Sequence, residues 1–382
     1  MWKSIRIYYY DNYDHLISKL IPKLLPNSSV FRAIPDQIER FYFTRHWIGG
    51  PHIRLNFELN DDKNWESLYK IISCQIERFL VEYPSKSTLV NKNWDKYTTA
   101  LLKLEQQKAH ENETKLHPDN FWEIDEYSIR SSMYGGEKGA QLAENFYSDT
   151  TDIVCDLVSY SINKPNDRIN LFIQMMAALV YCTHINFYIS YRSHFEGHMN
   201  VLTNKDKIKE KVSMAYESKK DWYLSLVKDT FQKVEEIQSG KLLNDDLINK
   251  WVEIVTEYHK LILKEVQLGL LPFQPDSKSF SRISDFHQNA YSNQIVQDFS
   301  STSVFQAQRF LFSFMYNIFN VMGVTPLKRS YLCYFAAESI GIVTGKSWEM
   351  ILKETADAKI QYVDNEIQGT LSGQHYPKKK EH

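Results

Sequence analysis

Arg45–Leu59 reads RHWIGGPHIRLNFEL. An alternating run, a Gly-Gly-Pro turn and a second alternating run predict two antiparallel strands joined tightly, a β-hairpin. On the first strand, residues 39 to 47, Phe41, Phe43, Arg45 and Trp47 share a face. On the second, residues 52 to 59, Ile53, Leu55, Phe57 and Leu59 make an apolar face, and His52, Arg54, Asn56 and Glu58 make a polar one. A solvated outer face accounts for that pattern without any function. The alternative rests on Arg45, His46, His52 and Arg54 crowding one turn, where two guanidinium groups can hold a carboxylate and a histidine can supply a proton near neutral pH.

Working outward, residues 2 to 10 alternate as Trp2, Ser4, Arg6, Tyr8 against Lys3, Ile5, Ile7, Tyr9, a third strand. DNYDHLISKLIPKLLPN reads as an amphipathic helix starting at Asp14 and closed by Pro26. Residues 62 to 116 read as a polar helical insertion. After Pro118 come a short strand, a Gly135-Gly136 corner and a helix starting at Glu137, whose exposed N–H groups suit an anion or serve as a plain connection. Helical periodicity then dominates residues 150 to 355, over 168 to 193, 204 to 240, 243 to 268, 302 to 322 and 326 to 355. The expected fold class is α+β: an N-terminal antiparallel sheet with hairpins, packed against a predominantly helical C-terminal half. Scarce Pro/Gly linkers argue for one unit over residues 1 to 370, with 371 to 382 a disordered tail.

Composition narrows the function classes. With 382 residues and 43% hydrophobic content the chain can bury a large core. Forty-five basic against 47 acidic side chains leave a net charge of -2, so no global field favours nucleic acid or an anionic membrane. No apolar run approaches the about 18 residues of a membrane span, and the N-terminus lacks a secretory pattern, so the expected compartment is the cytoplasm. Cys74, Cys155, Cys182 and Cys333 stand far apart, which indicates neither a disulfide framework nor zinc. His184, His194 and His198 lack the spacing of a metal helix. No metal or cofactor is expected.

Four stretches, WKSIRIYYYDNYDHLISKLIPKLL, FYFTRHWIGGPHIRLNFEL, YSIRSSMYGGEKGAQLAENFYSDTT and FMYNIFNVMGVTPLKRSYLCYFAAESI, occur in an order that resembles the C-terminal, glutamate-elimination domain of class I lantibiotic dehydratases. That domain also occurs alone, in thiopeptide-type bacteriocin biosynthesis proteins. The resemblance runs from Trp2 to about Ser339, and RHWIGGPHIRLNF is its most specific part. It implies maturation of ribosomally made peptides. Full-length members glutamylate Ser and Thr in a separate N-terminal domain, and the elimination domain expels glutamate to leave dehydroalanine or dehydrobutyrine. A thiopeptide branch keeps the fold and joins two dehydroalanines in a formal aza-Diels-Alder reaction, losing water and leader peptide to form a pyridine.

Departures from the eliminating pattern decide between these. Met133 occupies the position of the family's Arg before Tyr134-Gly135-Gly136. Near the C-terminus Tyr316 stands for His, Asn320 is kept and Val321 replaces Arg. Neither Met133 nor Tyr316 is a cation at neutral pH, whereas a phenol still donates a hydrogen bond. The resemblance therefore implies first a pyridine-forming cyclase, with His52 and Arg54 orienting the peptide and Tyr316 as donor or acid. Arg45, His46, Arg130, Tyr134, Arg309 and Asn320 are the expected substrate-binding groups. Glutamate elimination beside a separate glutamylating subunit is the second reading, and a non-catalytic leader-binding scaffold the third. The expected partners are a precursor peptide, leader plus core, and the other enzymes of its pathway. A homodimer is compatible with the sequence, and leader docking by strand addition at an unspecified sheet edge is compatible too.

Overall fold

The computed structural model describes residues 1–32, 34, 36–87, 115–129, 131–241, 246–271, 284–291, 302–347 and 350–351. Residues 88–114 of the helical insertion expected over 62 to 116, the expected substrate-binding Arg130 and the tail expected to be disordered lie outside these residues.

The hairpin forms as its alternation requires. Strand β2 (Ile38–His46) pairs antiparallel with β3 (His52–Leu59), and Gly49 and Gly50 take φ of 78° and 117° in the turn, a region closed to most other residues. Strand β1 (Trp2–Tyr8) adds to β3, and β4 (Phe121–Asp125) adds to β1, giving a four-stranded antiparallel sheet of order β2-β3-β1-β4. The outer edge of β2 is closed by helix α2 (Glu137–Ser161): Phe41 N donates to Ser148 Oγ at 3.2 Å, and Thr151 Oγ1 donates to the Phe41 carbonyl.

Ile5, Ile7, Ile53, Leu55 and Phe57 are fully buried on one face of the sheet. Packed into one hydrophobic core with them are the apolar sides of α1 (Trp65–Glu82) and of a segment expected to be one amphipathic helix. Its apolar spacing is real, since Leu16, Ile17, Leu20, Ile21 and Leu24 are all buried, but it winds as a π-helical turn over Leu16–Leu20 and a 3-10 turn over Ile21–Lys23. Pro22, which lacks an N–H, breaks the ordinary ladder there.

The remaining α-helices among the described residues are α3 (Pro165–Thr183), α4 (Ile189–Asn200), α5 (Lys205–Glu217), α6 (Lys220–Gln238), α7 (Asp246–Gln267), α8 (Asp285–Tyr291), α9 (Ser303–Val321) and α10 (Pro326–Thr344). Three expected long helices are thus divided or shortened. The one over 168 to 193 breaks at His184, whose backbone is extended, and a 3-10 turn over Ile185–Tyr188 follows. The one over 204 to 240 breaks at Ser218-Lys219, and the last stops at Thr344 because Gly345 adopts a left-handed φ of 67°. Thr302 and Thr325 cap α9 and α10 by accepting from Phe305 N and Lys328 N, as their positions before apolar runs favour.

The core's densest aromatic contact lies where α2, α7 and α9 meet. Phe146, fully buried, sets its ring 5.0 Å from Tyr258, 5.3 Å from Phe314 and 6.1 Å from Trp251. Phe146→Ala is expected to cost about 3–5 kcal/mol, read as a lowered urea midpoint at unchanged slope. A loss under about 1 kcal/mol would mean that the hub collapses onto the cavity.

Candidate functional site

The polar face of β3 is not a solvated surface. His52 is 0% and Asn56 4% exposed. Cross-strand register aligns it in rows: Thr44, Arg54, Arg6 and Glu123 in one, Tyr42, Asn56, Ser4 and Asp125 in the next, and His46, His52, Tyr8 and Phe121 towards the hairpin turn. Ser4 Oγ donates to Asn56 Oδ1 at 2.6 Å. Asp125 sits between two guanidinium groups, 2.6 Å from Arg6 Nε and 3.2 Å from Arg54 Nε. One acidic residue thereby pairs with both guanidinium groups and hydrogen-bonds that of Arg6.

The same register corrects the expected grouping of Arg45 with His46, His52 and Arg54. Arg45 lies opposite Ile53 and so points to the apolar face, where it stacks on the Tyr13 ring at 4.8 Å. His46 stays with His52, their rings 5.6 Å apart.

His52 Nδ1 lies 2.8 Å from the Gly50 carbonyl and donates to it, so Nε2 carries the lone pair, and that buried atom has no partner. Burial, with Arg54 and Arg6 adding repulsion, lowers its pKa to about 3, so this histidine is a neutral acceptor at pH 7 rather than the titrating donor expected. The unfolded chain takes up the proton below about pH 6.5 and the folded chain does not, so stability is complete above that pH and falls on acidification towards pH 3. At pH 5 the loss from His52 is on the order of 2 kcal/mol. Urea midpoints measured from pH 7 to 5 should show it, and His52→Gln should flatten the slope; an unchanged slope would contradict the neutral assignment.

Where the sheet meets the helical half, the polar face continues as a cluster of phenols. Tyr42 Oη lies 2.9 Å from Tyr127 Oη, and Tyr127 donates to Glu144 of α2. Trp2 stacks on Tyr127 at 5.0 Å and meets Tyr42 edge-on at 5.3 Å, holding both rings. Tyr134 Oη is 3.3 Å from Tyr147 Oη, and Asn317 Nδ2 donates to both, at 3.2 and 2.6 Å. Burial raises the pKa of Tyr42, Tyr127 and Tyr147 well above a free phenol's, so all three are neutral hydrogen-bonding groups.

Of the expected residues, His46, His52, Arg54 and Tyr134 therefore occupy this polar region. Tyr316 does not share their contacts. It faces away from the sheet, with Oη 3.3 Å from Cys333 Sγ, the His194 ring edge-on at 4.9 Å and the Arg329 guanidinium over its ring at 4.9 Å. Arg309 and Asn320, expected to bind substrate and spaced at i-7 and i+4 from Tyr316, are exposed. Met133 lies in a 3-10 turn, Ser131–Tyr134, and is 57% exposed. His194 Nδ1 and His198 Nδ1 are held by the Ser190 carbonyl and Ser330 Oγ.

The reading from sequence overlooked Arg6, Tyr42, Asp125, Tyr127, Glu144, Tyr147 and Asn317. Strand parity places Arg6 on the same face as Tyr8 and Ser4. Asn317 is one residue, and so about 100° of helix, from the position chosen.

Among curated protein sequences, none matches the chain. Solved structures share its fold. The structure titled "Pyridine synthase, TbtD, from thiomuracin biosynthesis" superposes with a TM-score of 0.69 at 18% identity, covering 90% of this chain and 99% of that one. TsrL superposes with a TM-score of 0.66 at 16% identity, covering 93% and 98%. The family described as lantibiotic biosynthesis dehydratase C-term matches residues 2–340, nearly the whole described fold, and the chain belongs to that family.

Proposed function

We propose that the protein forms the pyridine core of a thiopeptide-type product from a dehydrated precursor peptide. The observation that carries this reading is the buried cluster of neutral phenols beside an Arg54 ion-paired with Asp125. Expelling a glutamate carboxylate calls for cationic donors at the leaving group. Turning an amide into its iminol calls instead for neutral donors and acceptors that move a proton over a short path.

In the reaction, the iminol C=N of one residue and the alkene of the adjoining dehydroalanine form a 2-azadiene. It adds to a second dehydroalanine, making two carbon–carbon bonds. Loss of the iminol oxygen as water and of the leader peptide as its amide then gives the aromatic ring, each departure removing one C–H proton and protonating one leaving group. Arg54 donates to the peptide carbonyl, His52 Nε2 accepts from a peptide N–H, and the phenols line the proton path. The near-complete coverage of both chains in the superposition on the pyridine synthase TbtD supports this reading. The partners are the precursor peptide and the enzymes that dehydrate and heterocyclise it. Their site is the cytoplasm, where such peptides are made; no described helix is long and apolar enough to cross a membrane.

Mass spectrometry of two peptides tests the proposal. A dehydrated, azole-bearing precursor should lose water and leader with a new pyridine absorbance. Stepwise loss of glutamic acid from a glutamylated precursor, with the first peptide untouched, would replace it by elimination.

A further inference from the structure

The polar face holds a buried carboxyl group to which the reaction above gives no role. Glu144 is 8% exposed, and a carboxylate persists at such a position only with partners. It accepts from Tyr127, and Tyr127 in turn lies 2.9 Å from Tyr42. Three oxygens in an unbranched row allow two hydrogen-bond orders. With Glu144 ionised, Tyr127 donates to it and Tyr42 donates to Tyr127, which leaves a lone pair on Tyr42 Oη. With Glu144 protonated every bond reverses, and Tyr42 Oη presents its proton. Tyr42 sits in the row of Asn56 and Ser4, beside the row of Arg54 and Arg6.

We propose that Tyr42, Tyr127 and Glu144 form a reversible proton relay, with Tyr42 Oη as its substrate end and Glu144 as its reservoir. This rests on the proposed function for its chemistry, though not for its existence. A proton leaving the amide nitrogen passes to Tyr42 as Tyr42's own proton passes to Tyr127 and Tyr127's to Glu144. The carboxylate becomes a carboxylic acid, both phenols stay neutral, and the reverse transfer protonates the carbonyl oxygen to complete the iminol. The same shuttle takes a ring C–H proton and returns it to the departing hydroxyl. Trp2 supports the geometry by pinning both rings. Burial raises Glu144 above the usual carboxyl range, opposed by the Tyr127 hydrogen bond and by Arg40 and reinforced by Glu58, which keeps its acid form accessible. Arg54, Tyr134 and Tyr147, whose ring lies 5.8 Å from that of Tyr42, are further titratable groups near Tyr42. Tyr42 is the catalytic end, and Tyr127 and Glu144 act through it.

The test uses the full chain with ring-labelled tyrosine and infrared difference spectra across a pH titration. Titrating Glu144, identified by its loss in Glu144→Gln, should shift the ring mode of Tyr42, identified by its loss in Tyr42→Phe. The shift should vanish in Tyr127→Phe. A Tyr42 mode indifferent to Glu144 overturns the relay whatever the protein catalyses. With the azole-bearing precursor, Tyr127→Phe and Glu144→Gln should lower kcat about 30-fold at unchanged KM. Unchanged kcat in both overturns the relay's role. If no precursor is converted, the proposed function fails and the infrared coupling alone decides whether the relay exists.

Discussion

Arg54→Gln should lower pyridine formation about 10³-fold while leader-peptide affinity stays within twofold, the size expected when one preorganised donor to a reacting carbonyl is removed. The fold should survive, because Arg6 Nε still lies 2.6 Å from the Asp125 carboxylate and keeps it compensated. The folding cost is accordingly about 1–2 kcal/mol rather than that of an abandoned buried charge. Two controls come from the residues that the structure moves away from this face. Arg45→Met removes a guanidinium stacked on Tyr13 on the opposite face, at about 1 kcal/mol of stability, without a change in turnover. Tyr316→Phe removes only a contact to the Cys333 sulfur, and turnover should change less than about threefold. Turnover by mass spectrometry and leader binding by fluorescence anisotropy decide the matter. Unchanged turnover in Arg54→Gln with intact leader binding would leave a scaffold role, and a collapse in Tyr316→Phe would return the chemistry to the α4–α9–α10 side.

The hairpin was legible because it rests on period-two alternation and two glycines, and both are local properties. The same parity carries Arg6 and Tyr42 onto the face of Arg54 once β1 and β2 are paired in register, but nothing in a single strand states its partner's register. Arg45 shows the cost: adjacent in sequence to His46, it lies on the other side of the sheet. Along α9 the difficulty is angular. Tyr316 lines up with Phe312 and Phe319, and that stripe faces His194 of α4 and Cys333 of α10; Asn317 lines up with Phe310, Phe314 and Val321, and that stripe meets Tyr134 and Tyr147. Both stripes set polar members among aromatic ones, so periodicity alone does not rank them. Tertiary packing does.

Gly139→Ala should dismantle the tyrosine cluster from a distance. Gly139 lies in the first turn of α2, and its backbone passes so close to Tyr134 that an added Cβ would overlap the Tyr134 carbonyl, with Leu271 Cδ2 3.2 Å away on another side. Alanine is otherwise the better helix former by about 1 kcal/mol, so a purely local account has this substitution stabilise. The overlap reverses the sign. What must yield is backbone, the 3-10 turn Ser131–Tyr134, and moving it withdraws the Tyr134 phenol from Tyr147 and Asn317. We expect a loss of about 3 kcal/mol in stability and about 10²-fold in turnover. Gly136→Ala is the comparison: its φ of 114° makes any side chain strained at a cost of about 1–3 kcal/mol, yet the space around it is open. It should therefore lose stability with a much smaller loss of turnover. Leu271→Ala added to Gly139→Ala should not restore activity, because it frees only the side-chain contact and leaves the carbonyl in place. Urea midpoints and turnover measured on the three variants separate these effects. Wild-type values for Gly139→Ala would show that the turn yields freely, and Tyr134 would then drop out of the site.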